Sequence, residues 1–539
     1  MRVNYIFVTG GVLSGLGKGI TSASIGKVLQ SNGFSVTAIK IDPYINLDAG
    51  TLRPTEHGEV WVTDGGGEID QDLGHYERFL DVDISKEHNI TTGQVYQVVI
   101  EKERKGEYLG KTVEVIPHIP DEIKSRIKNV AKNTKADFVL IEIGGTVGDY
   151  QNVLFMEAAR EMKLEGEKVV FVHVGFLPVL ETIGEMKTKP MQHSVKELRT
   201  IGIQPDFIIC RSDYPVDEIR KDKIALFCNV KKEEIISNPN LENVYELPLL
   251  FEEQKLGDKI LNRLGMKPRK QNLKKWRNFI EGLKKIKKTV KIGIVGKYFD
   301  IGKYKLPDSY ISVIEAIKHA SWKNKVKPEI EWIDSKTFEK HPEKLSVLNK
   351  MGGVIVPGGF GLTGIEGKID AINYVRKNKI PYLGLCLGMQ LAVVEFARNV
   401  CNLKGAHTTE VDPKTKYPVI DFIPEQIKLI RESRYGATMR LGAYPAVLKK
   451  GTLIRKLYDK DKVWERHRHR YEVNPKYIEI LEKNGLIFSG KSPDGVLMEF
   501  LELPGQTFIA TQAHPEFKSR PMKPSPMFDG LIKACIDRL

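Results

Sequence analysis

The sequence predicts two successive α/β domains separated by a basic helix, on three observations. The apolar strand-like run Tyr5–Val8 enters a glycine-rich turn and then a helix-period segment reaching about Gln30. A second such run, Ile380 to Leu385, passes through Gly-x-Cys-x-Gly into apolar helical spacing from Leu387 to Arg398. Strand, tight glycine turn and helix in immediate succession are the repeating unit of doubly wound sheets. Between the two lies a stretch, residues 261–291, with twelve Lys or Arg and a single acid, Glu281. There Trp276, Phe279, Ile280, Leu283 and Ile286 recur at helical spacing, so the stretch reads as an amphipathic helix with a basic solvated face. The expected division is 1–266, a linker at 267–290, and 291–539.

Composition narrows the class. Apolar residues make up 41% and charged residues 28%, the balance of a globular enzyme with ample core. No apolar run is long enough to span a bilayer, and the chain opens directly into a strand without a signal-peptide pattern. The cysteines (Cys210, Cys228, Cys386, Cys401, Cys535) are scattered and lack metal spacing, which fits a reducing cytoplasm with one reactive thiol. Most of the formal charge of +14 sits in the linker, and no aromatic reading platform accompanies it. Neither a nucleic-acid nor a membrane partner is therefore expected.

In the first domain the turn reads Gly10-Gly11-Val12-Leu13-Ser14-Gly15-Leu16-Gly17-Lys18-Gly19-Ile20-Thr21. Glycines let backbone N–H groups approach a polyphosphate, the helix N-terminus faces its charge, and Lys18 reaches its terminal phosphates. The match to a standard P-loop is imperfect: the spacing is one residue longer, and Gly19 stands where Ser or Thr is usual. A triphosphate calls for a metal, and two acids are placed for it. Glu142 ends the apolar run from Ala136, and Asp72 opens Asp72-Leu73-Gly74-His75-Tyr76-Glu77. Carboxylate and phosphate oxygens with water suit Mg²⁺. Further on, Lys187-Thr188-Lys189-Pro190-Met191-Gln192-His193 reads as a short extended, proline-bounded segment with two lysines on one side, suited to a second polyanion.

In the second domain, glycines flanking Cys386 allow a strained elbow that projects the thiol at a helix N-terminus, where the dipole favours thiolate. His514 and Glu516 follow the strand-like run Gln506–Ala510 and supply a base with an orienting carboxylate. Gly352–Gly361 is a strand running into glycines whose amides can meet a developing oxyanion. Together these motifs closely resemble a class I glutamine amidotransferase domain. That resemblance implies that Cys386 attacks the glutamine side-chain amide, His514 moves protons, Glu516 orients His514, and ammonia is released.

Taken along the whole chain, Gly10–Thr21, Lys40–Asn46, Asp72–Phe79, Gly144–Asp149, Lys187–Ser194, Gly358–Gly361, Gly384–Gln390, Thr438–Gly442 and Glu465–Asn474 closely resemble the CTP synthase family in its domain order. The expected fold is thus a P-loop-type, mostly parallel sheet domain followed by a class I glutamine amidotransferase α/β domain. The resemblance implies ATP-dependent amination of UTP to CTP through a 4-phosphorylated UTP. By motif match, ATP takes Gly15, Leu16, Gly17, Lys18, Gly19, Ile20, Lys40, Asp72, Asn240 and Leu241, with Mg²⁺ on Asp72 and Glu142. UTP, and CTP as inhibitor, take Ser14, Asp149, Tyr150, Gln151, Lys187, Thr188, Lys189, Pro190, Met191, Gln192 and Lys223. Glutamine takes Gly359, Leu387, Gly388, Met389, Gln390, Glu410 and Arg470, and His57 gates ammonia passing between the domains. GTP activation, a homotetramer and filaments are further implications. Thr363 stands where the family usually has arginine in a lid linked to GTP, and the loop Tyr298–Asp308 is longer than usual, so an altered GTP response is expected.

Overall fold

The structure, a computed structural model, describes residues 3–53, 57–180, 184–270, 272–296, 300–301, 304–305, 307–359, 363–422 and 439–538. Two units emerge: Met1–Thr51 with Ile69–Gly282, and Leu52–Glu68 with Leu283–Leu539. The segment 52–68 thus folds with the C-terminal part of the sequence.

The first unit is built on seven parallel strands, β1 (Asn4–Gly11), β2 (Val36–Asp42), β3 (Asn89–Thr91), β4 (Phe138–Ile143), β5 (Lys168–Phe176), β6 (Phe207–Ser212) and β7 (Ile235–Pro239), in the order β7-β6-β5-β1-β4-β2-β3. All eight residues of β1 are buried, as expected for a parallel strand covered on both faces. β4 lies on one side of β1 and β5 on the other, so the loop after β1 opens where the winding reverses, the place such sheets bind ligands. That loop leads into α1 (Lys18–Ser31), whose N-cap Gly17 holds φ 77° and offers no side chain to cap the helix. α2 (Asp72–Leu80) packs on α1. Register places Lys40 of β2 directly beside Glu142 of β4.

One local expectation is corrected. The segment expected to be extended from Lys187 to His193 turns helical at Lys189, the start of α3 (Lys189–Thr200). Pro190 sits in the first helical turn, where its fixed φ and missing N–H fit, so the proline marks a helix start and not an extended stretch. The basic stretch forms α4 (Lys274–Lys284), with Trp276 and Ile280 buried. Trp276 Nε1 donates to the Tyr245 carbonyl at 2.9 Å, and Tyr245 stacks on Phe79 at 4.7 Å.

The second unit carries a nine-stranded mixed sheet: β8 (Thr289–Gly296), β9 (Lys327–Asp334), β10 (Gly353–Val356), β11 (Tyr382–Leu385), β12 (Arg440–Leu448), β13 (Lys462–His469), β14 (Ile487–Lys491), β15 (Met498–Leu503) and β16 (Phe508–Thr511). The order is β9-β8-β10-β11-β16-β15-β14-β12-β13, parallel as far as β16 and antiparallel beyond. Helices α5 (Ile311–Lys323) and α6 (Leu387–Asn399) are among those that cover it. β11 and β16 pair in parallel with Leu385 opposite Thr511, so the residues that follow them, Cys386 and Gln512–His514, emerge side by side. Among the described residues no helix is long and apolar enough to cross a membrane.

Candidate active sites

At the end of the first sheet, one lysine gathers four carboxylates. Lys40 Nζ contacts Asp72 and lies 3.3 Å from Glu142, 3.8 Å from Asp42 and 3.9 Å from Asp70. The Tyr76 hydroxyl donates to the other oxygen of Glu142. Burial works against the Lys40 charge, but the four acids together hold its pKa well above the usual lysine value. Burial raises all four acids; Lys40 reverses this for Asp72, which falls to about 2, while Asp42 stays at about 6 and Asp70 at about 7. Glu142 is also pushed up, chiefly by burial. Acids outnumber cations here, so the cluster is short of positive charge.

Lys18 stands beside it. Its Nζ donates to the Gly145 carbonyl at 2.6 Å, and burial pulls its pKa down despite Glu142. Gly15 and Gly17 both hold left-handed φ, 74° and 77°. A β-carbon on Gly19 would meet Asp72 Oδ1 at 2.8 Å. That approach explains why glycine follows Lys18 where Ser or Thr is usual: the helix must let Asp72 in. Hard oxygens on Asp72 and Glu142, and an unbalanced negative charge, fit a Mg²⁺ ion that keeps water and phosphate ligands.

In the second unit Cys386 occupies the elbow between β11 and α6 with φ 50° and ψ −102°, a backbone conformation rare for a side-chain-bearing residue. Gly388 is required beneath it, since a β-carbon there would come within 2.1 Å of the Val356 carbonyl oxygen. The Cys386 amide donates to the Thr511 carbonyl at 2.8 Å. Its thiol points at the Arg468 carbonyl, 3.8 Å away, and receives the Gln512 side-chain amide at the same distance. His514 Nδ1 lies 2.7 Å from Glu516 Oε1. A β-carbon on Gly358 would meet both His514 (2.7 Å to Cε1) and Cys386 (3.5 Å to Cβ), so the two side chains converge on one point beside that glycine. Burial lowers the His514 pKa, but Glu516 and then Cys386 outweigh it and lift the group to about 10. His514 Nε2 is buried without a nitrogen or oxygen partner, and the Cys386 side chain beside the ring helps to raise its pKa.

Comparison with known proteins matches both halves of this picture. Residues 4–266 fit the family model described as CTP synthase N-terminus, and residues 305–534 fit glutamine amidotransferase class-I. The CTP synthase of Pyrococcus abyssi is 58% identical over 534 residues, covering 98% of this chain and 97% of its own. That of Thermococcus gammatolerans is 57% identical over 538 residues, covering 99% of both. That of Methanocaldococcus jannaschii is 54% identical over 542 residues, covering 99% and 98%. The chain belongs to the CTP synthase family. It is accordingly a glutamine-hydrolysing ligase that forms a C–N bond.

The remaining residues expected from the family motifs fall as follows. Asp149 Oδ2 accepts from the amide and hydroxyl of Thr146 at 2.7 and 2.9 Å, while Tyr150 beside it is 96% exposed and Gln151 is exposed. Lys187 pairs with Glu185, Lys189 lies over the Phe227 ring at 5.6 Å, and Gln192 donates to Thr188 at 3.0 Å. Lys223 is exposed, Pro190 is half-buried, and Met191 packs in the core with Leu177 and Cys210. Ser14 is exposed on the glycine loop, with Leu16 and Ile20 buried or half-buried along its run. Asn240 bridges Asp213 and Arg211 at 2.8 and 2.9 Å, and Leu241 is half-buried. Leu387, Gly388, Met389 and Gln390 are buried in the first turn of α6, and Gln390 donates to the Tyr471 carbonyl at 2.9 Å. Glu410 and Arg470 both act on the Tyr471 hydroxyl, which burial first and then Glu410 push up to about 12. Gly359 is half-buried after β10, and His57 is exposed. Glu56, Tyr298, Phe360, Gly361, Leu362 and Thr438 lie outside the described residues.

Several site neighbours were not singled out as site residues by the sequence. Asp42 and Asp70 complete the ring round Lys40, and His173 bridges Thr9 (2.8 Å) and Ser194 (2.6 Å) under the glycine loop. Burial and then Lys18 hold His173 neutral, with its pKa down at about 3. Ser194 also dictates Gly11, where a β-carbon would fall 1.4 Å from the serine oxygen. Gln512 had a signal, its place two residues before His514 at the end of an apolar strand.

Proposed function

We propose that the two sites serve one reaction: the Cys386 site releases ammonia from glutamine, and the Lys18–Lys40 site delivers it to UTP activated by ATP. One observation carries this reading. A Cys–His–Glu triad on a strained elbow and a lysine–carboxylate cluster beside a glycine loop occur in one chain.

The uracil 4-oxygen is a poor leaving group, so ATP phosphorylates it and ammonia displaces phosphate. Phosphoryl transfer needs positioning and charge neutralisation more than covalent help from the protein. Gly15–Ile20 cradle the ATP phosphates, Lys18 and Lys40 offset developing charge, and Asp72 and Glu142 would hold the metal. When bound, Mg²⁺ supplies the positive charge that the carboxylate ring lacks. Lys187–Gln192 with Ser14 and Lys223 bind the UTP triphosphate, and Asn240 and Leu241 bound the adenine. In the second unit Cys386 sulfur attacks the glutamine amide carbon, His514 gives a proton to the departing ammonia and then draws one from the water whose hydroxide clears the acyl-enzyme. Glu516 fixes the ring through Nδ1. Gly359, Leu387–Gln390, Glu410 and Arg470 hold glutamine, and His57 gates ammonia on its way to the uracil.

By the same reading GTP activates glutamine hydrolysis, and CTP returns to the UTP site as inhibitor. The enzyme works as a cytoplasmic homotetramer. The 96% exposure of Tyr150, in the segment assigned to UTP, supports a site completed by a second copy.

The test is CTP formation from UTP, ATP, Mg²⁺ and either glutamine or ammonia, with and without GTP. Lys18→Ala is expected to stop synthesis from both nitrogen sources. Substantial CTP from a folded Lys18→Ala chain would remove Lys18 from phosphoryl transfer, and no CTP from the unsubstituted chain would end the reading.

A further inference from the structure

Residues 52–68 come from the half of the sequence that holds the nucleotide motifs, yet they fold with the amidotransferase unit. Their side chains meet that unit close to the triad. Trp61 is fully buried, and its ring packs on Phe517 at 4.9 Å between centroids. Phe517 in turn stacks on the His514 imidazole at 5.3 Å and 21°. Asp64 receives Arg466 Nε, and its other oxygen lies 3.2 Å from Lys518 Nζ. Glu68 receives Arg468 Nε at 2.7 Å. The Asp64 carbonyl also accepts the Ala443 amide of β12 at 2.9 Å.

The two arginines held by these carboxylates are the two β13 residues whose carbonyls touch the triad. The Arg466 carbonyl accepts the His514 amide at 2.7 Å, and the Arg468 carbonyl faces the Cys386 thiol at 3.8 Å. Side chains two apart on a strand share a face, so Arg466 and Arg468 present together to the same segment. Each arginine thus joins a carboxylate of the segment, through its guanidinium, to a catalytic residue, through its carbonyl. The Arg466 guanidinium also lies 5.4 Å from the Trp61 ring, so the aromatic and ionic contacts form one assembly.

We propose that Trp61, Asp64 and Glu68 are positioning residues of the glutamine site. Trp61 backs the Phe517 ring that fixes the plane of His514, and the two carboxylates fix the place of β13 beneath Cys386 and His514. None of the three needs to touch glutamine, so their loss falls on turnover and not on substrate affinity. The proposal rests on the reading of Cys386 and His514 as the glutamine-hydrolysing pair.

The experiment uses the full chain with Trp61→Phe, Trp61→Leu and Asp64→Asn. Each is assayed for glutamine hydrolysis, for the pH profile of Cys386 alkylation by iodoacetamide, and for CTP formation from ammonia. Trp61→Leu is expected to lose roughly ten- to a hundredfold in kcat for glutamine with KM within about twofold, and to shift the alkylation profile, because small misplacements of reacting groups are costly. Trp61→Phe keeps a ring against Phe517 and stays within about threefold of the unsubstituted chain. Asp64→Asn shows the same pattern as Trp61→Leu and carries the comparison by itself if the leucine variant does not fold. All three keep their ammonia-dependent synthesis. Unchanged kcat and profile in Trp61→Leu and Asp64→Asn would overturn the proposal. So would an equal loss in Trp61→Phe, or a parallel loss of ammonia-dependent synthesis, either of which makes the segment merely structural. Failure of the unsubstituted chain to make CTP would instead remove the underlying reading, while glutamine hydrolysis and alkylation would still report on the triad.

Discussion

Five thiols in this chain have very different prospects, and their surroundings decide which. Burial pushes Cys210, Cys228, Cys401 and Cys535 up, so they stay protonated and inert. Cys386 alone faces an imidazolium. At pH 7 a small alkylating reagent should label Cys386 and spare the other four, which peptide mass spectrometry reads directly; labelling spread over several cysteines would contradict the pairing. His514 is raised from 6.5 to about 10, so the stability of its charged form is complete below about pH 6.5 and is lost as pH rises through about 10. Glu516→Gln removes the chief partner that raises it. Glutamine hydrolysis should then fall by roughly 10²- to 10⁴-fold, as when the orienting acid of other triads is neutralised, and the alkaline limb should move to lower pH. A variant with wild-type turnover would detach Glu516 from the mechanism. These three residues were legible because each follows an apolar strand at a fixed offset. Asp42, Asp70 and His173 were not, because isolated acids and histidines look alike until strand register brings them together.

The elbow between β11 and α6 shows how an element constrains its own sequence. Tyr382–Leu385 is buried throughout, Cys386 takes a strained backbone, and Gly388 allows the helix to approach the Val356 carbonyl. Gly388→Ala should therefore destabilise the second unit by about 1–3 kcal/mol, the usual cost of overpacking, and suppress glutamine-dependent synthesis more than ammonia-dependent synthesis. Chemical denaturation read by tryptophan fluorescence measures the first effect, and an unchanged midpoint with full glutamine use would refute the crowding. Glycines of this kind made the elbow visible in the sequence, because strand and helix periods change abruptly across them. Lys187–His193 shows the converse. Its proline marked a boundary, but the sequence pattern did not say of what, and packing resolved it as the first turn of α3.

At the scale of the whole molecule, the order of the two units was readable from the two strand–turn–helix motifs and the basic stretch between them. The fate of residues 52–68 was not. Trp61, Asp64 and Glu68 make their partners 400 or more positions away, at Phe517, Arg466 and Arg468, and neither periodicity nor composition names such a partner. The central claim is a division of labour, with nitrogen released at Cys386 and consumed at the Lys18–Lys40 site. It is tested most directly by measuring CTP formation by the full-length Cys386→Ala chain with glutamine and, separately, with ammonia. The division predicts no synthesis from glutamine and synthesis from ammonia close to that of the unsubstituted protein. Loss of both in a folded chain, or continued synthesis from glutamine, would contradict it.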